Sequence, residues 1–125
     1  MKGYYMFPDI KENLIAFTTD DDIWIYDISK GTASRVTSGN GVSVWPKISP
    51  DKRSIVFTRI WLNKGKSVSD LFLIDENGER RITYFNTLSI RVSQWISDKE
   101  IIAITDYKTP FSTVAYKINV ETGEY

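Results

Sequence analysis

Along this chain apolar residues alternate with polar ones or gather in short runs, and nowhere recur at the spacing of an amphipathic helix. The pattern predicts strands throughout. In the middle of the chain, residues 42–48 read as a strand a, closed by the turn Ser49-Pro50-Asp51-Lys52. Residues 54–59 read as strand b, followed by a longer loop holding Asn63-Lys64-Gly65. Residues 71–75 give strand c, and after the turn Glu76-Asn77-Gly78, residues 80–84 give strand d. The turn assignments have a physical basis. Proline presets φ near −65° for a type I turn, and Asn-Gly tolerates the positive φ of a tight hairpin.

The same markers recur in the same order along the chain. Ala16-Phe17-Thr18 matches Val56-Phe57-Thr58 and Ala103-Ile104-Thr105. Ile25-Tyr26-Asp27 matches Leu73-Ile74-Asp75 and Lys117-Ile118-Asn119, each followed by a glycine, Gly31, Gly78 or Gly123. Arg35-Val36-Thr37 returns as Arg81-Ile82-Thr83. The period is about 45 residues, and four short antiparallel strands at that period describe a propeller blade. The alternatives are a β-sandwich, which would not require the same turn chemistry at the same offset in every unit, and a less favoured β-solenoid.

The expected fold is therefore all-β: about three four-stranded antiparallel blades of a β-propeller, the third incomplete. Residues 1–125 form one partial propeller, with blade 1 at about 4–37, blade 2 at about 42–84 and blade 3 at about 92–125. The third blade has strands at 92–96, 101–106 and 113–120, and its last strand is missing. Closed propellers have about 4 to 8 blades, so the count falls short of a ring.

Composition narrows the chemistry. Sixteen basic and sixteen acidic side chains cancel, which argues against a nucleic-acid partner or an anionic membrane surface. The chain has no His and no Cys. A Ser-His-Asp triad, a thiolate nucleophile and the usual zinc ligands are thus unavailable within it. No cofactor is expected. The opening residues break at Pro8 before a signal-peptide core can form, and no apolar run approaches a membrane span. These features point to a cytoplasmic protein.

Several residues invite functional readings. Asp20-Asp21-Asp22 lacks the spacing of a calcium loop and reads as a solvated turn. Gly39-Asn40-Gly41 has no following Gly-Lys-Ser/Thr and reads as the link between blades one and two. Trp45 and Trp95, in strand a of two units, read as equivalent blade-to-blade packing, as do Trp24, Tyr26 and Phe72 on strand c. Asp98 and Glu100 belong to a turn. Arg35, Lys47, Arg80 and Arg81 read as surface charges. Arg91 stands apart, because it lies at the start of an innermost strand, where a propeller's channel mouth would be. From position alone, a plain surface arginine is still the better reading.

Particular stretches resemble the N-terminal β-propeller region of the tricorn protease family, large archaeal serine peptidases that degrade oligopeptides. They include Pro8-Asp9-Ile10, Ile23-Trp24-Ile25-Tyr26-Asp27, Ser38-Gly39-Asn40-Gly41-Val42, Ile82-Thr83-Tyr84-Phe85, and Asp106 with Pro110-Phe111-Ser112. The resemblance implies a substrate-channelling and scaffolding propeller whose catalytic residues lie in later domains. It implies oligopeptide partners in the full-length enzyme, with the remaining blades or another copy of the chain completing the ring. In that family two adjacent arginines, on the loop after the Ile-Thr-Tyr-Phe stretch, hold the carboxylate at a substrate's C-terminus. Here the loop at 86–92 contains only Arg91, so the pair is absent and Arg91 is its sole counterpart. A TolB-type interaction propeller and the propeller of a prolyl-oligopeptidase-type hydrolase are the competing readings.

Overall fold

The structure, a computed structural model, describes residues 6–39 and 41–125. Among the described residues eleven strands make up three antiparallel sheets, and there is no helix. The first sheet is the meander β1 (Met6–Lys11), β2 (Leu14–Thr19), β3 (Asp22–Asp27) and β4 (Thr32–Arg35). The second runs through β5 (Val42–Ile48), β6 (Ile55–Asn63), β7 (Lys66–Asp75) and β8 (Gly78–Arg81). The third holds β9 (Ile90–Trp95), β10 (Glu100–Thr105) and β11 (Val114–Asn119), with β11 at its edge. This is an incomplete β-propeller.

The strands form where β-branched and aromatic residues alternate with polar ones, which suits a pleated surface covered on one or both faces. β5 packs across β1, β2 and β3, and β9 packs across β5, β6 and β7. The first strands of sheets two and three, β5 and β9, therefore each seal the blade before them. Between sheets one and two the core is Ala16, Ile48 and Ile55, with Leu14, Ile25, Val36 and Ile74 against it. Between sheets two and three it is larger, with Val56, Leu71, Leu73 and Ile82 meeting Ile90, Val92, Ile101, Ala103 and Ile118. Two of the three repeated strand b threonines, though not Thr18, hold the start of β9. Thr58 Oγ1 donates to the Ile90 carbonyl at 2.6 Å, and Thr105 Oγ1 to that of Ser89 at 2.8 Å.

Several details differ from the sequence expectation. The loop around Asn63-Lys64-Gly65 is a tight hairpin: β6 and β7 pair in unbroken register out to Asn63 and Lys66. Lys64 and Gly65 take φ of 52° and 79°, as a two-residue turn of this hand requires. Asp22 is no solvated turn residue but buried; only Asp20 and Asp21 lie exposed in the turn. Arg35 pairs with Asp22, whose other oxygen accepts from Thr37 Oγ1 at 2.7 Å. Blade two repeats the device, with Arg81 on the fully buried Asp70 at 2.6 Å and Thr83 Oγ1 on its second oxygen at 2.5 Å. Each Thr hydroxyl also accepts a backbone N–H, from Ile23 or Leu71, at 2.9 Å. Arg35 and Arg81 thus neutralise acids that strand c carries inward. Lys47 likewise faces Asp9 at 3.7 Å, and Arg80 donates to the Val120 carbonyl at 2.6 Å. In sheet three the same register falls on Thr113, which is exposed. The start expected for blade 1, near residue 4, and Asn40 of the interblade link lie outside the described residues.

Candidate functional site

The inner strands converge on a cleft of about 340 Å³. Phe7 and Pro8 of β1 form one wall, and Trp45, Pro46 and Lys47 of β5 form the next. Arg91, Val92 and Ser93 of β9 close the third side, with Ile104 of β10 behind them. Two of these walls share one backbone irregularity. Pairing slips between Met6 and Asp9 in sheet one, and between Val44 and Lys47 in sheet two. The residues inside the slips are Phe7-Pro8 and Trp45-Pro46, and the aromatic of each takes a positive φ, 55° and 52°. A β-bulge of this kind re-aims a side chain. Here it brings Phe7 and Trp45 edge to face, with centroids 5.3 Å apart.

Trp45 and Trp95 are therefore not equivalent. Trp95 pairs with Ile101 at the far end of β9 and packs against the blade interface, its indole N–H donating to the Lys47 carbonyl at 3.0 Å. Trp45 lines the cleft. Trp24 and Tyr26 differ from expectation as well, since they lie on the face of sheet one turned away from sheet two. Phe72 does pack inside, stacked on Phe57 at 6.1 Å. The aromatic–proline pairs were missed in the sequence, although Phe7-Pro8-Asp9-Ile10 and Trp45-Pro46-Lys47-Ile48 form a further repeated marker.

Arg91 is exposed and lines this cleft, and its side chain has no ion pair or hydrogen bond among the described residues. Its backbone is firmly held. The carbonyls of Ser89 and Ile90 each accept a threonine hydroxyl, and Ser89 N donates to Asp106 Oδ1 at 3.3 Å. Upstream, Asp70 gathers the loop at 82–89 by accepting from Phe85 N and Asn86 N, both at 2.8 Å. A cation on such a support needs little reorganisation to meet an anion. Lys47 adds a second positive charge; no acid is among the described lining residues, and Asp9 beside Lys47 is engaged by it at 3.7 Å and by Ile48 N at 2.7 Å. Asp98 and Glu100 stand apart from the cleft. Asp98 accepts from Asp51 N at 3.0 Å across the blades, and Glu100 pairs with Lys117 at 3.3 Å.

The sequence profile of the tricorn protease N-terminal beta propeller domain matches residues 2–125. The chain belongs to this family. A tricorn-like protease N-terminal subunit of Sulfurisphaera tokodaii is 49% identical over 125 residues, covering 98% of this chain and 64% of that protein. A tricorn protease homolog of Saccharolobus solfataricus is also 49% identical, over 99% of this chain and 12% of the longer protein. The chain thus spans less than two thirds of these curated relatives. The crystal structure of the tricorn protease superposes with a TM-score of 0.83 at 28% identity, covering 94% of this chain and 12% of that one. TolB from Acinetobacter baumannii superposes at 0.78 with 22% identity, over 98% of this chain and 31% of that one. That second likeness shows a shared fold, and tricorn is the better match. No helix among the described residues is long and apolar enough to cross a membrane.

Proposed function

We propose that residues 1–125 act as three consecutive blades (about 4–37, 42–84 and 92–125) of the opening propeller of a tricorn-type peptidase. In this reading the chain guides peptides along the inner strands and braces the rest of a larger protease assembly, and the bond-breaking groups lie elsewhere. Arg91 holds the carboxylate at the peptide's C-terminus. The observation that carries this is an arginine side chain without a partner among the described residues, on a clamped strand, facing a cleft lined by no described acid. A guanidinium fork matches a carboxylate bidentately, so a single arginine supplies a usable contact where the family has two.

Titrating the chain with one peptide, as free acid and as C-terminal amide, tests it. A charge-assisted hydrogen bond contributes about 1.5–3 kcal/mol, so the acid should bind at least about tenfold more tightly. Arg91→Ala should erase that ratio, and Arg91→Lys should restore part of it. Equal affinity of acid and amide for the unaltered chain would remove Arg91 from the site. With no His or Cys in the chain, incubation with fluorogenic oligopeptides should give no turnover; turnover that survives repurification would contradict the division of labour.

A further inference from the structure

We propose that Phe7 and Trp45 form a side-chain subsite selecting peptides that end in a bulky apolar residue. The proposal rests on the Arg91 reading and adds to it a rule about which peptides are held. Positive φ is uncommon outside glycine, and for a bulky residue it is a true outlier that the surrounding fold must sustain. Three aromatics adopt it here: Phe111 in an exposed turn, and Phe7 and Trp45 at the same place in neighbouring blades, each before a proline and each lining one cleft. The third blade breaks the pattern. Its register slips at Ser93, a small residue without positive φ, and Arg91 stands nearby in place of a third aromatic.

The result is an asymmetric cleft, with two aromatic rings and Pro46 on one side, Arg91 on the other, and Val92 and Ile104 behind. The rings meet edge to face at 5.3 Å and 61°, leaving ring surface uncovered; Phe7 is 42% exposed. The Trp45 indole N–H has no acceptor among the described residues and is available to a peptide carbonyl. At about 340 Å³ the cleft lies at the low end of ligand pockets, roughly 300–1,000 Å³. It therefore suits one terminal residue with its carboxylate, not a long segment. Charge sets the direction of the peptide, and the rings discriminate among its side chains.

The test uses the 125-residue chain and N-acetyl-Gly-Gly-X peptides, with X as Phe, Leu, Ala or Asp, each as free acid and as amide. Binding is followed by amide and indole NMR resonances. The Phe acid should bind about tenfold more tightly than the Ala acid, the effect expected for burying one large apolar side chain. The Trp45 indole resonance should move on addition of the Phe acid, while that of Trp95, fixed on the Lys47 carbonyl, should not. Phe7→Ala, at an exposed edge, should reduce the Phe-over-Ala ratio without touching the acid-over-amide ratio; Trp45→Ala should reduce it further. Phe and Ala acids of equal affinity, or a preference for Asp, with acid-over-amide discrimination intact, would overturn this subsite alone. A Phe preference that is indifferent to amidation would overturn the Arg91 reading alone. Absence of binding by every peptide at millimolar concentration would overturn both.

Discussion

Asp70 is the residue on which most depends. Its carboxylate is fully buried and accepts from Arg81, Thr83, Phe85 and Asn86, so it joins strand c, strand d and the loop that leads to Arg91. Removing one partner of a buried pair leaves the other charge stranded and costs about 3–5 kcal/mol. Asp70→Ala is expected to lower the unfolding free energy, read from a urea titration, by about that much. Asp22→Ala should cost less, because the Arg35 side chain is 50% exposed and keeps its water. Asp20→Asn and Asp21→Asn should stay within about 0.5 kcal/mol, as surface changes at positive φ that asparagine tolerates. Gly41 is the opposite case. Its φ is 91° and a Cβ there would lie 2.3 Å from the Ile60 carbonyl oxygen, so Gly41→Ala should destabilise by more than about 1 kcal/mol. None of this burial was visible in the run Asp20-Asp21-Asp22. Three adjacent acids look alike in sequence, and only the start of β3 turns the last one inward.

Turns and strands were the most legible elements, because their chemistry is local. Asp27, Asp75 and Asn119 recur because each accepts backbone N–H groups at the c–d turn. The register nonetheless places Lys117, not Ile118, at the position equivalent to Tyr26 and Ile74, so the third copy of that marker is displaced by one residue. β11 absorbs the extra residue before its turn. The bulges escaped notice because alternation assumes an unbroken period of two, and a slip at an aromatic–proline pair looks like ordinary strand. The turns also predict an acid limb of stability. The Ser29 hydroxyl, then Asn13 and the backbone N–H groups of Lys30 and Ser29, hold the Asp27 carboxyl below the ordinary carboxylate range. The Ser49 hydroxyl and then the Arg53 N–H do the same for Asp51. Folded values lie below unfolded ones, so this stabilisation is complete above the unfolded value of about 3.9. It disappears as pH falls through the lowered folded values. Melting temperature should therefore be flat near neutrality and drop below about pH 4, with a shallower drop in the Asp27→Asn, Asp51→Asn double variant.

At the scale of the molecule, the two open ends differ. Ile10, Ile15, Phe17, Trp24, Tyr26 and Ala33 share the face of sheet one turned away from sheet two, and Ile10 is 64% exposed. The outward face of sheet three mixes Ile102, Ile104 and Ala115 with Arg91, Gln94 and Lys117. Four strands of ordinary length present roughly 320 Å² per face, and leaving such a face in water forfeits at most about 8 kcal/mol. The isolated chain is expected to associate through sheet one. Light scattering after size exclusion should show mass rising with concentration, and Ile10→Lys should suppress the rise without lowering the melting temperature. A monomer at every concentration would show that this face is tolerated in water.

The placement of β5 and β9 also bears on how the chain emerges during synthesis. Each sheet is a meander of consecutive hairpins, so one blade pairs its strands before the next exists. The first segment to follow, only 7 residues long in β5, is the one that lies across the first three strands of the blade before it. At translation rates of about 5–20 residues per second, it is made in roughly a second once the interblade link is out. A nascent blade thus leaves its forward apolar face open only briefly, and the ribosome delivers the cover in the order in which it is needed.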